Sequence, residues 1–197
     1  MARTRRWLGD TTDNNKWLPD MGTDRAYRLR EGYLLDWHLF RRLRTRGERQ
    51  GANGVPDLRA ALELVRGTPL AGADIAYSAA ARNPYTWLPG SDINPDHLTA
   101  AIVDTAHHLT DLALHAGDTT TARWAAEHAW LADIDHNSDI TWRDMIRTAA
   151  ADGNHAELHQ LINDLMTARD AEVPEDLDPA TYQLLTSFDF GNSLPVP

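Results

Sequence analysis

Apolar residues recur at intervals of three and four through most of the chain, the spacing of amphipathic helices with one buried face. The clearest stretch runs from Asp96 to Leu131. There Leu98, Ile102, Ala106, Leu109, Ala113 and Ala116 form one stripe. Gly117-Asp118 interrupts it as a C-cap followed by an N-cap, and Ala122, Ala125, Ala126 and Ala129 continue as a face of small side chains. Small residues let two helix axes approach closely, so the pattern predicts a tight helical hairpin. A third helix follows, capped by Ser138 or Asp139, with Trp142, Met145, Ile146 and Ala149 inward. Gly153-Asn154 breaks it, and a fourth helix turns Leu158, Leu161, Ile162 and Leu165 inward. The two breaks lie 36 residues apart, a period of stacked helical hairpins. Pro179 opens a final helix that reads as an end cap.

Upstream, Trp37, Leu39, Phe40 and Leu43 face inward on a helix that begins at Asp36 and is ended by Gly47 and Gly51-Ala52-Asn53-Gly54. Pro56 starts the next helix, with Leu58, Ala61, Leu62 and Val65 inward and Gly67 closing it. Residues 68–95 form a connector punctuated by Pro69, Pro84, Pro89 and Pro95, with a short helix expected around 73–82. At the start, Arg3–Gly9 reads as the last turns of a helix capped by Gly9, and residues 26–36 as a small β-hairpin turning at Glu31-Gly32. The predicted fold is all-α, stacked hairpins carrying a small N-terminal hairpin.

Charge divides the chain. Residues 1–50 hold 12 Lys+Arg against 7 Asp+Glu, while residues 51–197 hold 7 against 22. An acidic body repels nucleic acid, so only the basic head is suited to attract it. The chain has no cysteine, which removes disulfides, thiol nucleophiles and Cys-based metal sites, and fits a reducing compartment. No apolar run approaches the roughly 18 residues of a membrane span, so the expected location is the cytoplasm.

The 36-residue period and the Gly-Asp break resemble a tetratricopeptide repeat (TPR), with Ala122 and Ala129 at its small positions and Trp142 where it favours Trp. Leu158 and Leu165 replace the small residues in the second unit. A wider resemblance covers some 190 residues. LRAALELVRGTPL (58–70), HAGDTTTARWAAEHAW, RDMIRTAAADGNHAELHQLINDL and VPEDLDPATYQLL are similar to the bacterial transcriptional activation domain of actinobacterial SARP-type regulators. In that family the domain follows an OmpR-like winged helix. RTRRWLG resembles the close of a recognition helix, WLP and YRL resemble wing strands, and LLDWHLFRRL resembles the junction between domains. The resemblance implies a winged-helix remnant over 1–35, a TPR-like activation domain over 36–190 and a tail over 191–197. It implies a non-catalytic regulator that binds protein, either itself or the transcription machinery. DNA would be reached only through a complete winged helix, in which Arg3, Arg5 and Arg6 contact phosphate.

Chemistry along the chain is sparse. Asp104, His108, Asp111 and His115 fall within one arc of a helix, but a structural zinc wants four converging ligands, so a solvated stripe is the favoured reading. His155 and His159 are spaced i, i+4, yet the intervening Glu157 points off their shared face, unlike the HExxH base. There is no G-x-S-x-G, P-loop or G-x-G-x-x-G, so no catalytic residue, metal or cofactor is expected. Trp87, Trp124, Trp130 and Trp142 lie in or beside the hairpins. Core packing is their favoured role, and a partner groove is the alternative use. Two other functions stay open: a TPR-like peptide-binding scaffold with no transcriptional role, and a metal-dependent enzyme using the helix histidines.

Overall fold

The computed structural model describes residues 6, 8–25, 27–32, 35–71 and 94–188. The chain divides into two compact units, residues 1–39 and 40–197. In the first, Arg6 and Leu8 are helical and Gly9 follows with φ +71°, the left-handed cap expected of it. Asp10 and Lys16 form an isolated antiparallel bridge around a turn held by Thr11, Asp13 and Asn15. The expected hairpin over 26–36 is not a strand pair in its described part. Residues 27–30 are irregular, and the turn at Glu31-Gly32 is present, with Gly32 at φ +96°. The Arg30 N–H donates to Trp17 O and the Arg30 Nε–H to Lys16 O. Residues 26, 33 and 34 lie outside the described set.

The second unit is helical, and no strand occurs among the described residues. We label the helices α1 (Asp36–Gln50), α2 (Val55–Leu62), α3 (Pro95–His115), α4 (Thr119–Ala132), α5 (Asp139–Ala151), α6 (His155–Ala168) and α7 (Pro179–Ser187). One expected boundary moves. Gly47 does not end α1 but lies inside it, and the helix runs on to Gln50. A Cβ on Gly54 would stand 1.9 Å from Gly47 O, and one on Gly47 would stand 2.8 Å from Leu58 Cγ. Both glycines therefore serve a close crossing of backbones where α1 meets the start of α2. Helix α2 ends at Leu62, before Gly67. The helix expected over 73–82 lies outside the described residues.

From α3 onward each helix as far as α6 packs on the next, and α3 also packs on α5. The alanine face of α4 is fully enclosed: Ala122, Ala125, Ala126 and Ala129 are all at 0% exposure. Trp142, Met145, Ile146, Ala149, Leu158, Leu161, Ile162 and Leu165 join Ala126 in one core, completed by Leu177 and Leu185. The hairpin turns close alike. At the first, Gly117 has φ +74°, the Asp118 N–H donates to Ala113 O, and the Asp118 carboxylate accepts from Thr121 N–H. At the second, Gly153 has φ +67°, the Asn154 N–H donates to Ala149 O, and the Asn154 side chain accepts from Glu157 N–H. Each is a left-handed C-cap joined to an N-cap, which satisfies both helix ends in a few residues. Ser138 is the N-cap of α5, one of the two expected, but its side chain makes no capping bond; just before it, Asp133 accepts from the N–H groups of Asn137 and Ser138.

Candidate functional site

The carboxylates and histidines picked out on α3 do not converge. Asp104 is exposed and lies 3.7 Å from Arg44 Nη2. The His115 Nδ1–H donates to Asp111 O within the helix. His108 keeps a buried Nε2 without a hydrogen-bond partner. Among the described residues no three or more His, Asp or Glu side chains are placed so that they could hold a metal ion. His155 is exposed and His159 half-buried near the start of α6.

The assembled cluster centres instead on His107, one position from the expected stripe. That step rotates the ring by about 100°, towards α5. Its Nδ1 stands 3.0 and 2.9 Å from the two oxygens of Asp144. The Asp144 side chain is fully buried, and a carboxylate only accepts, so His107 donates through Nδ1–H. Arg147 Nη1 donates to the same carboxylate at 3.1 Å, and Nη2 reaches Asp111 Oδ1 at 2.6 Å. Asp111 Oδ2 also lies 3.7 Å from His107 Nε2. The hydrogen bond to Asp144 raises the His107 pKa above its ordinary value, aided by the charges of Asp144 and Asp111 and opposed by burial and Arg147. Two donors thus balance one buried charge and join the first hairpin to the second. A buried carboxylate left unpaired would be strongly unfavourable.

A His–Asp pair of this form also orients an imidazole for base catalysis. Here Nε2 faces Asp111 rather than a hydroxyl or thiol. The sequence signal that could have located this cluster is on α5. Thr141, Asp144 and Thr148 repeat at three and four and are all at 0% exposure, a buried polar face beside the apolar one.

The tryptophans divide. Trp142 is buried, and Trp130 packs edge-on to it at 4.7 Å between ring centroids while stacking on His136 at 3.7 Å. Trp142 Nε1–H donates to His136 O at 2.9 Å. These two rings brace the α4–α5 loop. Trp124 stands apart from them, half-buried under the Arg59 guanidinium, whose Cζ lies 4.5 Å from the ring centroid. Its ring also meets His128, at 4.0 Å. Trp87 lies outside the described residues, as do Arg3 and Arg5. Arg6 is exposed.

A cleft of about 540 Å3 opens between the first turns of α3 and the α4–α5 loop, with Thr68 and Pro69 at its edge. The sequence pattern does not single it out, because its walls come from segments far apart in the chain. No family model matches the chain, and no curated protein or solved structure matches it either.

Proposed function

We propose that this chain is a non-catalytic protein-interaction domain of a transcriptional activator, built as TPR-like stacked hairpins. The observation that carries the stacked reading is the repeated turn. Gly117-Asp118 and Gly153-Asn154 close their helix pairs with the same left-handed cap and the same side-chain N-cap, 36 residues apart. Packing of α3 on α5 as well as on α4 adds to it. The interaction reading, rather than an enzymatic one, is supported by the use made of His107. Its Nδ1 is committed to Asp144 and its exposed edge faces Asp111, an arrangement that joins two hairpins without calling for a substrate. The transcriptional part follows from the likeness of residues 36–190 to the bacterial transcriptional activation domain.

DNA contact belongs, on this reading, to a complete winged helix, and the partner is a protein of the transcription machinery or a second copy of the chain. The test is to fuse residues 36–190 to an unrelated bacterial DNA-binding domain and measure a reporter placed beside its operator. Activation above the unfused DNA-binding domain is expected. A folded, operator-bound fusion that leaves the reporter silent would remove the transcriptional role and leave a peptide-binding scaffold.

A further inference from the structure

The cleft between α3 and the α4–α5 loop has a chemistry of its own. Among the described residues, every charged side chain lining it is acidic: Asp96, Asp104, Asp133 and Asp135. Asp133 is occupied by the N–H groups of Asn137 and Ser138, and Asp104 is near Arg44. Asp96 and Asp135 are exposed carboxylates. Between the acids lies an apolar floor of Val103, Ala132 and Ile140. Ile134 also lines the cleft, held 60% exposed to solvent.

The wall that carries Ile134 is firmly braced. Beyond the Asp133 bonds, Arg169 Nη2 donates to both His136 O and Asn137 O at 3.1 Å, and Trp142 donates to His136 O as well. Arg169 is itself held by Asp139. Trp130 stacks on the His136 ring. A loop fixed from four directions loses little further freedom when a ligand settles on it, which lowers the entropic cost of binding. Holding a large β-branched side chain in water on such a loop does nothing for the fold, since its burial would be worth about 1.5–3 kcal/mol.

We propose that this cleft docks a basic peptide segment in which Arg or Lys flanks a large aliphatic or aromatic residue. The apolar side chain covers Ile134 and fills the floor, and the flanking cations meet Asp96 and Asp135. Charge complementarity selects this occupant: an acidic segment would be repelled by the exposed Asp96 and Asp135, and no described basic side chain lines the cleft beside them. The proposal rests on the reading of the chain as a protein-interaction domain, and names the class of sequence that this domain recognises.

Selection of a random heptapeptide phage library on the full chain tests it. The expected enriched peptides carry Arg or Lys beside Leu, Ile, Phe or Trp. Synthetic peptides of the enriched sequence should shift the Ile134 and Ile140 methyl resonances. Their affinity should fall roughly tenfold or more for Asp96→Asn with Asp135→Asn, and likewise for Ile134→Gln. Binding should also weaken as salt is raised. These three positions are exposed, and circular dichroism checks that each variant keeps the wild-type helix content. No enrichment, or an acidic or uncharged consensus, overturns the proposal. So does enrichment of purely basic peptides with no apolar residue, which would assign the cleft to simple cations. So does binding that the variants leave unchanged. A reporter fusion that activates transcription while the selection fails would leave the activator reading standing and remove only the cleft's role. A silent fusion with a successful selection would do the reverse.

Discussion

At Gly54 the limit on the side chain is space alone. Its φ of −83° is open to any residue, but a Cβ would lie within 2.7 Å of three backbone atoms of Gly47. Backbone cannot rotate away as a flexible side chain can. Gly54→Ala should therefore destabilise the unit by roughly 1–3 kcal/mol or more through overpacking, which thermal unfolding reads as a loss of roughly 2–4 °C per kcal/mol for a chain of this size. Gly51 is the opposite case: an added Cβ would meet nothing within 4 Å, and the constraint is its φ of +54°. Ala122, Ala125, Ala126 and Ala129 of α4 are limited by enclosure, all at 0% exposure. Ala126→Trp should cost roughly 1–3 kcal/mol, and an unchanged melting temperature would show that this face is not enclosed. Both sites are visible in the sequence as small residues. Only the structure assigns Gly47 to a helix interior, because the atom it makes room for belongs to the next helix.

At the scale of elements, polar ties join the hairpins. Arg123 on α4 makes a two-pronged bond to Glu157 at 2.7 and 2.9 Å and reaches Asp152 at 2.8 Å, so one side chain holds α4 to the α5–α6 turn. These partners are partly exposed, and the pair geometry is good. Arg123→Met should cost about 1 kcal/mol in chemical denaturation at low salt and less at high salt. The His107–Asp144 bond makes a pH dependence with a definite sign. The folded-state pKa of His107 is raised, so the folded protein holds the proton to higher pH than the unfolded chain does. Its contribution is complete below the unfolded value of about 6.5 and fades as pH rises through the folded value. Stability should therefore fall across that window in the wild type, and the fall should be shallower in His107→Gln. Parallel pH profiles from the two proteins would show that the bond does not titrate in this way. None of this is legible from local spacing. The i, i+4 pattern selects His108 and Asp104, whereas the partner of His107 lies 37 residues away.

For the whole molecule, charge is the property that reaches furthest. Formal net charge is −10, with sequence pI about 5.2, and the excess of acid lies after residue 50. Such a surface repels a polyanion at any appreciable distance. In a gel-shift assay at physiological salt this chain alone should not retain duplex DNA. Retention that weakens steeply with salt would assign real DNA contact to the basic head. No described helix is long and apolar enough to cross a membrane.

Periodicity by itself determined the helices after residue 94, their buried faces and the turns at Gly117 and Gly153, because these depend on residues within one or two turns of each other. The cores of α5 and α6 follow in the same way, from Trp142 to Leu165. What only tertiary structure decided are the relations between distant segments. These are the crossing of Gly47 and Gly54, the choice of His107 over His108, the gathering of Trp130, Trp142 and Arg169 around the loop at His136, and the cleft that this loop walls. Each joins elements whose separation in the chain carries no periodic trace, and packing of one helix against another is what brings them together.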